Sequence, residues 1–315
     1  MSSSNLSFLQ KPYSRGLDFS RLIDLVKARP KQRLTDFPSI PDLQEMLISE
    51  DPRLNIRLWE DTREKLIGFT LLEDYKTWAF LVMEVASASP ARVIEQQMID
   101  WGEEIVRNTS RERHSPFPME VHVNADNREQ IASLESLGFE RVPGGVLSLS
   151  RSLAEPIPDP CLPPGFVIRP SAGEQEAEEW VRLHRLAWGT ENMTVAARRS
   201  MLQTPFYDPS LDLVAVAPDG SLAAYCVCWF SAEENSLTGR KNGYTDPIAT
   251  HPAYQRRGLA TALILTGLQL LKARGLETAR MGTARENLGM LHTAEGAGFR
   301  IESETLWYSK TISAA

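Results

Sequence analysis

No apolar run in this chain approaches the ~20 residues that a helix needs to cross a bilayer. The N-terminal Met1-Ser-Ser-Ser-Asn-Leu lacks a charged segment followed by an apolar one, so nothing suggests export, and a soluble, cytoplasmic protein is expected. Cysteine is scarce. Three residues do not make a disulfide framework, and Cys226 and Cys228, two apart in an apolar run, are expected to face a common core. The five histidines, His114, His122, His184, His251 and His292, show no ligand spacing, so no metal is expected. Excess positive charge is also missing. A net charge of −7 argues against a general nucleic-acid surface, and it tolerates cationic amines without specifying one.

What the chain has is length and apolar content, with 315 residues of which 42% are apolar and 24% charged. That suffices for two domains, each with its own core. The clearest division is Glu155-Pro-Ile-Pro-Asp-Pro-Cys-Leu-Pro-Pro-Gly165, whose prolines exclude helix and central strand and favour a stiff extended connector. The expected layout is a first domain over residues 1–150, a linker over 151–164 and a second domain over 165–315. In the second half, residues 165–170 read as a strand and 174–188 as an amphipathic helix. Residues 193–204 read as a further helical segment, and 230–242 as a loop. Strands at 211–217 and 222–229 flank Pro218-Asp-Gly220, a good hairpin signal.

The most informative segment is Tyr244-Thr-Asp-Pro-Ile-Ala-Thr-His-Pro252, which runs into Gln255-Arg-Arg-Gly-Leu-Ala260 and a long apolar helix opening at Leu259. A strand feeding a helix N-terminus through a glycine-bearing loop offers an anion free backbone N–H groups and the positive end of the helix dipole. Gly258 and Ala260 suit close approach of phosphate oxygens, and Arg256 and Arg257 add fixed positive charge. Downstream, Arg274-Gly275 reads as a helix end, residues 278–283 as a strand, and Asn287 as the opening of a helix that leads to Gly298-Phe299.

The first half repeats this order more weakly. Residues 17–28 and 91–106 read as helices, and 54–59, 66–72 and 77–85 as strands. The span from Asn127 to Phe139 equals that from Asn287 to Phe299, so duplication is the simplest reading. The phosphate loop is where the halves differ. After Ser89-Pro90 the first half runs Ala-Arg-Val-Ile-Glu-Gln-Gln-Met-Ile-Asp100, with no glycine before Gly102, and side chains there would hold phosphates away.

The Gln-Arg-Arg-Gly-Leu-Ala hexamer, with the elements that follow it, resembles motif A of the GNAT superfamily of acetyl-CoA-dependent N-acyltransferases. The resemblance implies an α/β (α+β) fold of two tandem GNAT-like domains, each a mixed, mostly antiparallel central sheet flanked by helices. It implies a degenerate first domain that binds no cofactor and an active second one, a layout also found in tandem members of the family. Acetyl-CoA is then the acyl donor. Ile248, Ala249 and Thr250 would pair with its pantetheine amides, and Gln255, Arg256, Arg257, Gly258, Leu259, Ala260 and Thr261 would hold the pyrophosphate. Asn287 would contact the pantetheine arm, cap the following helix, or do both.

Transfer to an amine requires a neutral nitrogen, whereas an alkylamine of pKa about 10.4 is almost wholly protonated at pH 7. Asp246 is the only carboxylate between Asn242 and the phosphate loop, and it is the expected general base, with Tyr244 at the same strand parity. Where many family members carry a tyrosine acid, this chain has Ala294, so His292 and Tyr244 become the candidate donors to the departing thiolate. The acceptor expected is a small-molecule or peptide amine, with no nucleic acid and no membrane, and pairing of two copies is left open. Two rivals stand beside this reading: a non-catalytic acyl-CoA-binding regulator or scaffold, and a transferase that uses another acyl-CoA.

Overall fold

The computed structural model describes residues 8–49, 53–86 and 89–313. In chain order the elements are β1 (Leu9–Pro12), α1 (Arg15–Lys27), α2 (Ile40–Ile48), β2 (Leu54–Glu60), β3 (Leu66–Asp74), β4 (Ala79–Val85), α3 (Ala91–Arg113), β5 (Phe117–Asn124), α4 (Arg128–Ser136) and β6 (Glu140–Ser152). There follow β7 (Val167–Pro170), α5 (Ala177–Trp188), α6 (Val195–Met201), β8 (Asp212–Val216), β9 (Leu222–Val227), α7 (Ala232–Thr238), β10 (Asn242–Tyr244), β11 (Ile248–Thr250), α8 (Leu259–Ala273), β12 (Thr278–Ala284), α9 (Leu288–Gly296) and β13 (Arg300–Ile312). The chain forms two compact units, one of Met1–Gly145 with Thr305–Ala315 and one of Val146–Glu304. The division thus falls inside β6 and β13 rather than in the proline-rich connector. A strand from the far end of the sequence completes the first unit.

In the first unit, β1 to β4 form an antiparallel meander, β5 runs parallel to β4, and the end of β13 pairs antiparallel with β5 from Thr305↔Asn124 to Ile312↔Phe117. Its core joins Ile99 and Val106 of α3 to Met119, Val121 and Val123 of β5, with Tyr308 and Ile312 of β13.

In the second unit, β12 lies between β6 and β10, antiparallel to the first and parallel to the second. A four-stranded antiparallel sheet has the order β11-β9-β8-β7. Strand periodicity divides β9 between two layers. Ala224 and Cys226 face a core with Leu263, Ile264 and Leu268 of α8, while Tyr225 and Val227 join Trp180 and Val181 of α5. Each buried leucine of α8 contributes about 1.5–3 kcal/mol of transfer free energy, which fixes the helix on the sheet. Gly267 permits the close approach, since a Cβ there would lie 2.4 Å from Cys228 Sγ. The two cysteines are buried in this core, their sulfurs 3.6 Å apart, as their spacing predicted.

Two elements differ from expectation. The segment expected as a loop over residues 230–242 contains α7, capped by Ser231, whose Oγ accepts the Glu234 N–H at 3.1 Å. The strand expected through Tyr244 and Asp246 is broken: β10 pairs with β12, and β11 pairs with β9 in the other sheet. Pro247 has no N–H to continue a ladder with β12, and its carbonyl is taken by Val227 N at 3.0 Å.

Candidate active site

The break between β10 and β11 builds the site. β10 follows β12 from Asn242↔Thr278 to Tyr244↔Arg280, and Thr245 N reaches Arg280 O at 3.0 Å. The chain then leaves β12 for β9. At the apex of the opening stands Asp246, half-buried, whose Oδ2 accepts Gly282 N–H at 2.9 Å while its carbonyl accepts Trp229 Nε1 at 2.9 Å. Along the other arm, Val227 N to Pro247 O and His251 N to Ala223 O mark the bonded pairs of an antiparallel ladder. Alternation then turns Ala249 toward Tyr225, and turns the N–H and C=O of Ile248 and Thr250 away from β9. As β11 is the edge of its sheet, those groups are set to pair with an extended amide-bearing ligand.

The arm ends at the loop into α8. Arg256 has φ +59° and Gly258 φ +82°, so the backbone twice enters the left-handed region before the helix. Gly258 is the N-cap and gives α8 no side-chain cap, in contrast to Ser231, Thr194 and Asn287 at α7, α6 and α9. The first amides of a 15-residue helix thus lack the usual oxygen. Nothing lies within 4 Å of the place a Gly258 Cβ would take. Gln255, Arg256, Arg257 and Gly258 are exposed, Ala260 and Thr261 are half-buried, and Leu259 is buried in the core so that only its backbone is on offer. Arg257 lies 5.5 Å over the Tyr254 ring, with one nitrogen on Ala253 O at 3.3 Å, which holds its charge beside the loop. The arrangement suits a pyrophosphate.

On the side of Asp246 away from the loop is an aromatic and acidic group. Tyr244 stacks on Trp229 with centroids 4.0 Å apart, and Phe206 lies 5.0 Å from Trp229. The Tyr244 hydroxyl donates to Glu234 Oε1 at 2.8 Å, and Glu234 is 1% exposed. The helical segment expected at 193–204 is α6, anchored by Arg198, whose guanidinium pairs with Asp212 and lies 4.2 Å over Trp180.

Trp229 thus touches both residues, stacking on the Tyr244 ring and donating to the Asp246 carbonyl, while their side chains go to Glu234 and to Gly282 N. Asn287 caps α9, its Oδ1 accepting Met290 N at 3.0 Å, as Asn127 caps α4 through Gln130 N at 3.3 Å. His292 is exposed midway along α9, and Ala294 is fully buried. The contact of Glu234 with Tyr244 was not expected from the sequence. The Ser-x-x-Glu spacing of Ser231 and Glu234 is a helix-start signal that would have marked α7 in the segment read as a loop, although the carboxylate turns to Tyr244. Among the described residues no group of three or more His, Cys, Asp or Glu side chains is arranged to hold a metal ion, and no helix is long and apolar enough to cross a membrane.

The first unit has a related opening. β4 and β5 pair only at Ala79↔Met119 and Phe80↔Glu120, and a cavity of about 620 Å³ is lined by Glu84 and Val85 at the end of β4, Arg92 and Glu95 of α3, and Asn127 and Glu129 at the start of α4.

A divided strand at a sheet edge leads here to an uncapped glycine turn and a helix. Residues 174–299 match the Acetyltransferase (GNAT) family, so the second unit of this chain carries a GNAT domain. Over 157 residues the chain is 29% identical to the mycothiol acetyltransferase of Segniliparus rotundus, a match covering 49% of this chain and 58% of that protein. Over 179 residues it is 29% identical to the mycothiol acetyltransferase of Kineococcus radiotolerans, covering 56% and 53%. The chain therefore spans little more than half the length of these curated relatives. Among solved structures, a tandem GNAT protein from the clavulanic acid biosynthesis pathway aligns over 98% of this chain and 100% of its own, with a TM-score of 0.74 and 15% identity. That similarity shows a tandem GNAT fold.

Proposed function

We propose that this protein is an acetyl-CoA-dependent N-acetyltransferase that acylates a primary amine of a small molecule by direct attack on the thioester. The observation that carries the reading is the opening between β11 and β12, with an edge strand for pantetheine, the Gly258 turn for the pyrophosphate and Asp246 at its apex. The relatives named mycothiol acetyltransferase support a small-molecule acceptor. In this reading the backbone of Ile248 and Thr250 holds the pantetheine arm, the amides from Gly258 to Thr261 bind the diphosphate, and Arg256 and Arg257 offset its charge. The acceptor ammonium enters beside Tyr244 and Asp246, where the carboxylate draws it in. Asp246, at the apex of the opening, is the carboxylate that takes its proton. His292, exposed on α9, is the remaining candidate for protonating the thiolate.

Release of free thiol from acetyl-CoA across a panel of primary amines tests the reading. Turnover with one amine class and none with alcohols is expected. Tight acetyl-CoA binding with no turnover on any amine would instead support a cofactor-binding regulator, and faster release from succinyl- or propionyl-CoA would change the donor.

A further inference from the structure

On the acetyltransferase reading above, the opening between β11 and β12 has one side for each substrate. The diphosphate belongs at the N-terminus of α8, and α8 packs on the face of β9 that carries Ala224 and Cys226. The cofactor arm then enters from that side. The acceptor is left the opposite side, where α5 packs on β9 and β11 and where Tyr225, Val227 and Trp229 gather.

Trp188, the last residue of α5, stands on that side. Among the described residues it is the one tryptophan more than half exposed, at 56%. Its ring is nevertheless fixed. The indole Nε1 donates to the Tyr225 hydroxyl at 3.0 Å, and Tyr225 lies opposite Ala249 of β11 in register. One face of the indole stacks on His184, with centroids 5.5 Å apart and an angle of 12° between the planes. His184 is held in turn by Trp180 and by the same Tyr225 hydroxyl, 2.7 Å from its Nδ1. The chain beyond the helix is tied back too, since Arg185 Nε donates to Met193 O at 2.8 Å and Arg185 pairs with Glu191 at 3.0 Å. An exposed aromatic ring forgoes the free energy that covering it would release. A ring already held by one edge and one face loses little further freedom when a ligand covers the other.

We propose that Trp188 is a stacking platform for the acceptor, and that the acceptor is an amine carrying a ring with a flat apolar face, set apart from its nitrogen. Tyr225, which tethers the platform, and Trp229, which donates to the Asp246 carbonyl, are four residues apart. That separation is roughly 13 Å at ~3.3 Å per residue. A ring on Trp188 and a nitrogen beside Asp246 therefore belong to one extended molecule, joined by a chain of several bonds. Trp188 meets the acceptor away from the reacting atoms, so it decides which amine is taken and leaves the chemical step to others.

Three long-chain primary amines of equal carbon count test this, one ending in a phenyl ring, one in a cyclohexyl ring and one in an open chain. In the wild type kcat/KM is expected to favour the ring-bearing amines, through the acceptor KM. Trp188→Ala should reduce that preference by roughly fivefold with the acetyl-CoA KM unchanged, and Trp188→Phe should restore part of it. Phenyl above cyclohexyl would mark an aromatic acceptor, whereas equal preference would mark any ring with an apolar face. All three amines are measured on the same variant, so a loss of folded protein lowers their rates together and leaves the ratio alone. An unchanged ratio in Trp188→Ala would overturn the proposal, as would a wild type indifferent to the ring. Binding is read separately, by tryptophan fluorescence of the protein loaded with CoA, which allows no transfer. The phenyl amine should quench an emission component that Trp188→Phe lacks, and the same response in both proteins would leave no platform at Trp188. A wild type that acetylates none of the amines counts against the acetyltransferase reading, and the titration then decides the platform without it.

Discussion

His184 of α5 shows how burial sets protonation in the second unit. It is 9% exposed between Trp180 and Trp188, and its Nδ1 lies 2.7 Å from the Tyr225 hydroxyl. That hydroxyl accepts Trp188 Nε1 at 3.0 Å, so its own proton is free to go to His184, which then accepts as a neutral ring. Burial lowers the His184 pKa from 6.5 to about 4. The folded state therefore binds fewer protons than the unfolded chain between those values, and stability falls as pH drops from 6.5 to about 4. The loss is at most about 3 kcal/mol, at 1.36 kcal/mol per pKa unit. Chemical denaturation across this window should show the slope in the wild type and a flatter one in His184→Gln, and equal slopes would assign the acid sensitivity elsewhere. At this scale the sequence disclosed the glycine-bearing turn before α8, because glycine and arginine beside a helix start carry their chemistry in their identity. It did not disclose the contact of Glu234 with Tyr244, which depends on α7 folding back so that the carboxylate meets a tyrosine ten positions on, a contact no local pattern encodes.

On the proposed function, the start of α8 is the element on which cofactor binding turns. Gly258 combines a left-handed φ of +82° with empty space where a side chain would stand. Glutamate there costs about 1–2 kcal/mol of backbone strain, small beside the buried leucines that fix the helix. The new carboxylate would sit at the helix N-terminus and repel a diphosphate. Gly258→Glu is expected to keep a cooperative melting transition and to bind acetyl-CoA at least about a hundredfold more weakly, roughly 2.7 kcal/mol. Unchanged affinity measured by calorimetry in the folded variant would remove the loop from the site. Elements with strong periodicity or caps were legible in the sequence, among them α5, α8, the Asp219-Gly220 hairpin and the Asn287 cap. The division of β10 from β11 was not. The apolar character of residues 244–250 is the same whichever sheet they join, and only pairing with β12 and β9 reveals the opening.

At the scale of the whole molecule, two units carry openings that differ in the charges set around them. In the second unit the loop offers Arg256, Arg257 and an uncapped glycine turn. In the first, α3 follows Pro90, and its cavity presents Glu84, Glu95 and Glu129 beside Arg33 and Arg92. Two of these charges are already matched, since Glu84 pairs with Arg29 at 2.5 Å and Arg33 with Asp36 at 3.1 Å. Burial raises the Glu95 pKa, and Glu129 adds to it against the Ser133 hydrogen bond and the Arg92 charge. A diphosphate entering there would meet the Glu95 carboxylate one turn into the helix. We therefore propose that the first unit keeps the opening without cofactor affinity, and that the chain binds one acetyl-CoA, in the second unit. Calorimetric titration should give a stoichiometry of one per chain, abolished by Gly258→Glu and untouched by Arg92→Ala. Two sites of similar affinity, one of which survives Gly258→Glu, would show that the acidic cavity admits the cofactor after all.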